Sequence, residues 1–167
     1  MISRRSLLSG AAALTASTLA GCASTKFRTY DGPPVTGIVI NKGPRRMYLL
    51  SGNTALRALD VELGNNPLGH KRIEGDGRTP EGAYFIDRRN PNSQYHLSIG
   101  ISYPNAQDLA FAQAMGVRPG GDIFIHGTPR EKRGSVDWTA GCIAVTNREI
   151  EDLYAMVQDG TPVYINP

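Results

Sequence analysis

Hydrophobic residues occur along the chain in short runs that glycine and proline turns separate. These runs have strand character and cover residues 35–41, 47–50, 55–63, 83–88 and 95–103. Two further short strands are predicted over residues 122–125 and 161–166. Runs of this length between turns predict a mainly antiparallel sheet that folds on itself.

Two helices are predicted beside the strands. Asn105 to Asp108 forms a capped helix start, Phe111 and Met115 follow one turn apart, and Gly116 ends this helix. Thr146 to Glu149 fits a capping box, and four apolar residues follow at helical spacing: Ile150, Leu153, Tyr154 and Val157. This second helix directly follows a predicted strand over residues 142–145, and Asp159-Gly160 should stop it. The predicted fold class is mainly β with two helices (α+β).

The first 21 residues have the pattern of an export signal. Arg4-Arg5 precedes a short apolar stretch, which ends in Leu19-Ala20-Gly21-Cys22. Because residues 6–25 are rich in Ala, Ser, Thr and Gly, their apolar core is too short to span a membrane. The paired arginines resemble a twin-arginine signal. The Leu-Ala-Gly-Cys sequence resembles the lipobox of bacterial lipoproteins, whose cysteine becomes the lipidated first residue.

This pattern divides the chain into a signal peptide (1–21), a lipidated polar tether (22–34) and a domain (35–167). As a flexible coil the tether would span roughly 20 Å. We expect an exported protein that is lipid-anchored on the periplasmic face, and Ala23 after the cysteine favours the outer membrane. An uncleaved anchor or a general secretion signal is the alternative, and either would also place the domain outside the cytoplasm.

Composition limits the function further. Residues 1–21 hold two of the 18 basic residues and none of the 15 acidic ones, so the remaining chain carries a net charge of +1. This balance does not predict nucleic-acid binding. The remaining residues suffice for one domain with a hydrophobic core but not for two. A hydrophobic content of 40% is that of a globular protein.

The two cysteines point to a chemistry. A pair in an exported protein would first suggest a disulfide. Lipidation of Cys22 leaves Cys142 alone in an oxidising compartment, where a free thiol is a liability unless it has a function. His126 lies sixteen positions upstream at a predicted strand end, so the two side chains can meet across a sheet. We predict a nucleophile and its base, with an inert buried thiol as the alternative.

Three motifs in order resemble the landmarks of the L,D-transpeptidase catalytic domain, the YkuD type. They are Thr79-Pro80-Glu81-Gly82, His126-Gly127 and Thr139-Ala140-Gly141-Cys142-Ile143, and the resemblance spans roughly residues 35–167. The segments 75–82 and 101–105 are similar to one branch of this family. The resemblance implies a β-sandwich with Cys142 at a strand start. It also implies a peptidoglycan L,D-transpeptidase that acts on stem tetrapeptides through a cysteine thioester, for cross-linking or protein attachment.

The chain departs from the family pattern at Ala140 and Ala144, where many members have polar residues. These alanines leave the acceptor of the acyl group open. One alternative is a peptidoglycan amide hydrolase of the same fold that releases wall-attached lipoprotein. The other is a non-catalytic lipoprotein that binds the cell wall.

The resemblance and acyl-transfer chemistry together assign the site. Cys142 is the nucleophile and His126 the general base and acid, oriented by the backbone carbonyl of Gly127. The amides of Gly141 and Cys142 are candidates for the oxyanion hole. Four residues are candidate substrate contacts: Arg78, Tyr103, Trp138 and Thr139. For Arg78 and Tyr103 the alternatives are a surface charge and a structural sheet aromatic.

We expect no cofactor, and the spacing of the histidines does not predict a metal site. A rival chemistry is suggested by Cys142 and Arg148, which have the spacing of cysteine phosphatases. Residues 143–147 lack the glycine of a phosphate-binding loop, however, and Glu149 would repel phosphate. The partners expected are therefore peptidoglycan stem peptides and, through the lipid, a membrane.

Overall fold

The computed structural model describes residues 25–167, so the predicted signal peptide and Cys22 lie outside the described residues. The described chain forms eight strands and two α-helices. The strands are β1 (Gly37–Asn41), β2 (Arg46–Ser51), β3 (Thr54–Asp60), β4 (Gly82–Asn90), β5 (Ser98–Ile101), β6 (Phe124–His126), β7 (Ile143–Ala144) and β8 (Pro162–Asn166). The helices are α1 (Ala106–Met115) and α2 (Asn147–Met156). The predicted class of a mainly β protein with two helices is confirmed.

The strands form one curled sheet in the order β3-β2-β1-β8-β4-β5-β6-β7. Most neighbours are antiparallel, but β1 pairs with β8 and β6 with β7 in parallel. The chain after β3 reaches the far edge of the sheet, where the amides and carbonyls of Glu62 and Ala144 exchange hydrogen bonds of 2.9 and 2.8 Å. The sheet therefore closes on itself beside β7, the strand that follows Cys142.

Alternation of side chains along the strands fills the inside of the curled sheet with aliphatic residues. Ile99 on β5, Ile125 on β6 and Ile143 on β7 are fully buried there. Burying one such side chain typically contributes about 1.5–3 kcal/mol. Because successive residues of a strand point to opposite faces, His126 must lie on the outer face of the same strand.

Helix α2 begins as the capping box predicts. The Glu149 amide donates to Thr146 Oγ1 at 3.2 Å, and the Thr146 amide donates to Glu149 Oε2 at 2.8 Å. Ile150, Leu153 and Met156 are buried. The helix ends at Met156, before the predicted stop at Asp159, because Val157 is already extended and Arg89 binds its carbonyl oxygen at 2.6 Å.

Helix α1 begins after Asn105 and ends at Gly116, as predicted, but a polar residue holds it in place. Asp108 is buried and accepts hydrogen bonds from His70 Nε2 at 2.8 Å and from the Tyr84 hydroxyl at 2.9 Å. Met115, by contrast, is 62% exposed. The spacing of Phe111 and Met115 therefore indicated the helix correctly but not the side on which it packs.

The segment predicted to be a free tether packs on the domain from Lys26 onward. Lys26 Nζ donates to the carbonyl oxygens of Pro91 at 2.5 Å and His96 at 3.2 Å. Arg28 forms ion pairs with Glu151 and Asp152 at 2.5 and 2.6 Å. The expectation of a flexible coil is therefore wrong for this part of residues 22–34. Neither helix in the described range has the length and apolar character needed to cross a bilayer.

Candidate active site

The structure brings Cys142 and His126 to one face of the sheet. In the parallel pair of β6 and β7, Ile125 lies opposite Ile143 and His126 opposite Ala144. Because Ile125 and Ile143 both point into the core, Cys142 and His126 both point outward. They line a common cavity of about 240 Å³, whose wall includes Ser98 on β5. The predicted nucleophile and base therefore share one site.

His126 is held with one nitrogen ready to accept a proton. The residue is 2% exposed, and Nδ1 lies 2.7 Å from the carbonyl oxygen of Gly127. Since a carbonyl only accepts, Nδ1 carries the hydrogen, and in the neutral ring Nε2 keeps its lone pair. Burial lowers the pKa of His126, and the bond to Gly127 offsets part of that effect. The imidazole is therefore suited to act as a neutral base.

Two aromatic side chains enclose the imidazole of His126. The Tyr95 ring stacks on it with centroids 4.4 Å apart and planes at 22°. Trp138 meets it edge-on at 5.6 Å and contacts Tyr95 at 5.8 Å. Trp138 was predicted to border the cleft, whereas nothing in the sequence singled out Tyr95. Its role depends on β5 and β6 being neighbours, which no local pattern reports.

The surroundings of Cys142 favour the neutral thiol over the thiolate. Burial raises the pKa of Cys142, while a backbone hydrogen bond from Phe124 and the positive charges of Lys71 and Arg88 lower it in part. Its Sγ lies 3.4 Å from the carbonyl oxygen of Asp122, to which it donates. A neutral thiol beside a neutral imidazole implies that the proton moves when the sulfur attacks.

Thr139 shapes the loop that carries Cys142. Its side chain is buried, and Oγ1 donates to the carbonyl oxygen of Cys142 at 2.7 Å while accepting from the Gly141 amide at 3.1 Å. Thr139 was predicted to contact substrate, but this position makes it a support of the Cys142 loop. The Gly141 amide, predicted for the oxyanion hole, is hydrogen-bonded within the loop.

Two glycines, Gly64 and Gly141, let the backbone pack tightly in the loops around Cys142. A Cβ on Gly64 would lie 2.1 Å from the carbonyl oxygen of Gly77 and 3.0 Å from Gly141 Cα. Gly141 has φ +131, and its Cβ would lie 2.7 Å from the carbonyl oxygen of Arg78. No side chain fits at Gly64, and Gly141 combines a close approach with a backbone conformation that favours glycine.

The Thr79 to Gly82 motif is a structural turn that supports these glycines. Thr79 is fully buried, and its Oγ1 accepts a hydrogen bond from the Gly64 amide at 3.0 Å. Lys42, also buried, donates to the Thr79 carbonyl at 3.0 Å and to Glu81 Oε1 at 2.8 Å. The motif thus supports the backbone around Cys142 through the Gly64 amide.

Two predicted substrate contacts lie away from the cavity of Cys142. Tyr103 is 4% exposed, and its hydroxyl donates to the Pro119 carbonyl at 3.1 Å, so it is a core residue. Arg78 lines a separate groove with Phe111 and Met115. Tyr103 therefore has the structural role that was its alternative, whereas Arg78 is half-buried, and neither side chain lines the cavity of Cys142.

A different arginine lies on the outer face, where its charge acts on Cys142. Arg88 on β4 is opposite Gly100, which is opposite Phe124 on β6. Its guanidinium sits 4.4 Å from the centre of the Phe124 ring, and Nη2 lies 3.3 Å from Asp122 Oδ1. A Cβ on Gly100 would lie 2.5 Å from Arg88 Cγ, so glycine leaves the room that Arg88 occupies. A basic residue in a strand carries no such signal in sequence.

The rival phosphatase chemistry has no phosphate cradle here. The amides after Cys142 are already bonded: Ala144 to Glu62, Val145 to His126, and Thr146 to Glu149. Within residues 25–167, no three His, Cys, Asp or Glu side chains are grouped to hold a metal ion.

Comparisons with known proteins agree with this geometry. Residues 36–165 match the family YkuD, the L,D-transpeptidase catalytic domain. The putative L,D-transpeptidase YafK of Escherichia coli (strain K12) is 34% identical over 92 residues, which are 54% of this chain and 32% of YafK. The chain therefore spans about a third of that relative.

Solved structures show the same fold. The helical cell shape determining protein Pgp2 from Campylobacter jejuni matches with a TM-score of 0.63 and 30% identity, over 81% of this chain and 49% of that one. An L,D-transpeptidase from Mycobacterium smegmatis matches with a TM-score of 0.53 over 78% of this chain and 58% of that one. At 14% identity, the latter similarity concerns the fold alone.

Proposed function

Because the chain belongs to the L,D-transpeptidase catalytic domain family, we propose that it is a cysteine-dependent acyltransferase of peptidoglycan stem peptides. One observation carries the proposal. Cys142 and His126 line one cavity, and the bond from Nδ1 to Gly127 leaves Nε2 as the proton acceptor. Peptidoglycan as the substrate follows from family membership and is part of the proposal.

The first half-reaction forms a thioester. Cys142 Sγ attacks the carbonyl carbon of the third residue of a stem tetrapeptide, and His126 Nε2 takes the thiol proton. The bond to the terminal D-alanine then breaks, and His126 returns the proton to the leaving amine. Burial raises the pKa of Cys142, so the thiol gives its proton to His126 as the sulfur attacks and not beforehand.

Backbone amides would stabilise the oxyanion in this step. The Cys142 amide is one proposed donor, and the Gly141 amide becomes the second when it exchanges Thr139 Oγ1 for the oxyanion. Losing one such donor typically costs about 3 kcal/mol of transition-state stabilisation.

The second half-reaction resolves the thioester. A side-chain amine of another stem or of an attached protein gives up a proton to His126 and attacks the thioester carbon, which releases the Cys142 thiol. Water in place of the amine would make the enzyme a hydrolase. Ala140 and Ala144, which replace polar groups of many family members, are the features that keep hydrolysis as the alternative.

Arg88 is the proposed contact for a carboxylate of the stem peptide. It lies on the outer face beside Phe124, its positive charge lowers the pKa of Cys142 in part, and its side chain, which also pairs with Asp87 and Asp122, is partly exposed. Trp138, which borders His126, is the proposed wall for the apolar part of the stem.

The proposed site of action is the periplasmic face of a membrane. Lipidation at Cys22 would leave four residues, 22–25, before Lys26 docks on the domain. Four extended residues span at most about 14 Å, so the enzyme would act on wall close to the membrane. Pgp2 is named as a protein that determines helical cell shape, and a part in maintaining cell shape belongs to this proposal.

Incubation with purified tetrapeptide stems, with and without an acceptor amine, tests the function. The full-length protein in detergent and its Cys142→Ala variant are compared, and products and protein are analysed by mass spectrometry. We expect release of D-alanine, a stem thioester on Cys142 and an amine-linked product, all absent in the variant. Release without an amine-linked product would identify the hydrolase.

Two outcomes would contradict the proposal. One is full activity of the Cys142→Ala protein. The other is a wild-type protein that releases no D-alanine and gains no mass with a carbapenem, the class of compound that acylates this family. Binding to wall material in that case would identify the non-catalytic lipoprotein.

A further inference from the structure

Lys26, Phe27 and Arg28, which we call the strap, hold a loop beside the active site. Lys26 donates to the Pro91 and His96 carbonyls at 2.5 and 3.2 Å. Arg28 Nη2 lies 2.5 Å from Glu151 Oε2, and the other oxygen of Glu151 lies 2.8 Å from His96 Nε2. The strap therefore reaches His96 twice, once directly and once through Glu151.

The Glu151 carboxylate binds both Arg28 of the strap and His96 of the loop. Burial by itself would raise the pKa of Glu151, but its hydrogen bonds to His96 and Arg28 outweigh that effect and lower it. The ionised carboxylate is thus the form that the two contacts stabilise. Phe27 adds an aromatic contact to Tyr154 on α2, the helix that also carries Glu151, with ring centroids 6.1 Å apart.

The loop at His96 has an uncommon backbone. His96 has φ +77, and the Leu97 amide donates to the carbonyl oxygen of Tyr95 at 3.1 Å, which closes a three-residue turn. A γ-turn with positive φ is rare and strained for a residue other than glycine. Such a conformation persists only where its surroundings hold it, and the strap is part of those surroundings.

This turn touches the proposed base from two sides. On one side the Tyr95 ring stacks on the imidazole of His126 at 4.4 Å. On the other, the Gly127 amide donates to the Tyr95 carbonyl at 3.0 Å, and the Gly127 carbonyl accepts from His126 Nδ1. A Cβ on Gly127 would lie 2.7 Å from the Tyr95 carbonyl oxygen. The turn therefore supplies the Tyr95 ring that stacks on the imidazole. It also binds the Gly127 peptide, whose carbonyl accepts from His126 Nδ1.

We propose that Lys26 and Arg28 are positioning residues for catalysis. They hold the His96 turn and so keep Tyr95 and Gly127 against His126. The part of the chain nearest the predicted anchor is, on this account, a support of the active site and not a spacer. The inference rests on the proposed function in one respect, that His126 is the base.

The test compares the full-length wild type in detergent with the Lys26→Ala/Arg28→Ala variant. ¹⁵N NMR of the imidazoles reports the pKa and tautomer of His126, and a His126→Gln sample assigns its signals among the three histidines. The matched control is Arg46→Ala/Arg118→Ala, which removes two ion pairs, to Asp60 and Glu74, away from this loop. The single Arg28→Lys variant keeps the positive charge, so its His126 pKa and its kcat should lie closer to the wild type than those of the double alanine variant.

In the strap variant we expect the pKa of His126 to rise toward about 6.5, since a loosened Tyr95 exposes the ring. The kcat for stem peptides should fall about tenfold with KM changed less than twofold. A pKa, tautomer and kcat equal to those of the control variant would overturn the proposal. Because NMR needs no substrate, it decides the role of the strap even where stem peptides prove to be the wrong substrate.

Discussion

The Nδ1 atom of His126 lies 2.7 Å from the carbonyl oxygen of Gly127, and this contact determines which ring nitrogen carries the hydrogen. Nε2 keeps the lone pair and is the proposed base for Cys142. Because the group that Nδ1 contacts is a neutral carbonyl, this contact supplies no negative charge to stabilise an imidazolium. The site is therefore built around an uncharged resting pair.

The uncharged pair predicts the pH dependence of the reaction. Burial lowers the pKa of His126, so kcat/KM should hold below pH 6.5 and fall only as the pH drops through this lowered value. Burial raises the pKa of Cys142, so alkylation by iodoacetamide should increase with pH beyond the value of about 8.5 for an exposed thiol. Kinetic profiles and alkylation rates measure the two limits.

The same shift at His126 affects stability. The unfolded chain binds a proton more readily than the folded protein below about pH 6.5, so stability should decrease as the pH falls through that region. In a His126→Gln variant this contribution should disappear.

The alkylation measurement also has an outcome that would contradict the uncharged pair. Iodoacetamide reacting fastest near neutral pH would indicate a thiolate–imidazolium pair instead.

Thr139→Val should separate support of the nucleophile from general stability. The substitution removes the hydrogen bonds to the Cys142 carbonyl and from the Gly141 amide, so kcat should fall about tenfold. Thr36→Val is a matched control, since the Thr36 hydroxyl likewise bonds one carbonyl and one amide, of Leu50 and Gly52. Each variant should lose about 1 kcal/mol in denaturant unfolding. Equal kcat values in the two variants would refute the special role of Thr139.

Gly64→Ala should disrupt the site. Its methyl group would lie 2.1 Å from the backbone oxygen of Gly77, so the loops around Cys142 must move apart. We expect loss of acylation of Cys142 by a carbapenem and a lower melting temperature. Gly121→Ala is the control, because its Cβ meets nothing within 4 Å and both properties should be retained. Acylation of Gly64→Ala at the wild-type rate would contradict the packing argument.

Asp76→Asn should unfold the protein at lower denaturant concentration. Asp76 pairs with the buried Lys71 at 3.0 Å and accepts hydrogen bonds from the Arg72 and Arg78 amides. Leaving a buried lysine without its partner costs about 3–5 kcal/mol.

The control for this change is Asp60→Asn, which removes an ion pair whose carboxylate is 86% exposed. Such pairs contribute about 0–1 kcal/mol, so this variant should unfold nearly as the wild type does. Urea titrations monitored by circular dichroism compare the two. A similar small loss in both would mean that Lys71 finds other partners.

Arg88→Ala should weaken recognition of the stem peptide. A charge-assisted hydrogen bond is worth about 1.5–3 kcal/mol, so kcat/KM should fall by about tenfold or more. The sharp control is a stem whose free carboxylates are amidated, since with that substrate wild type and variant should perform alike. An Arg88→Ala effect of equal size on both substrates would assign Arg88 to structure instead.

Local patterns predicted the elements well because they depend on neighbours along the chain. The capping boxes at Asn105 and Thr146 are satisfied by residues three positions later, so both helices begin where the sequence places them. Strand ends were less accurate: the predicted strand over residues 95–103 shortens to β5, since the turn at His96 precedes it.

Long-range neighbours account for most of what the sequence did not predict at the site. Tyr103 and Arg78 lie near the motifs in sequence, yet one is buried and the other faces a separate groove. Tyr95 and Arg88 carry no motif, yet strand order places them beside His126 and Phe124. Contacts of this kind depend on which strands pair and in what register.

The sequence by itself determined the candidate nucleophile and base, the two helices and the need for glycine at position 141, because each follows from residue chemistry or from spacing along the chain. Only the tertiary structure decided what surrounds that pair: the Tyr95 ring on His126, the Thr139 support of Cys142, and the strap docked behind them. The physical reason is that these contacts join residues distant in the chain, and they exist only once the curled sheet has closed.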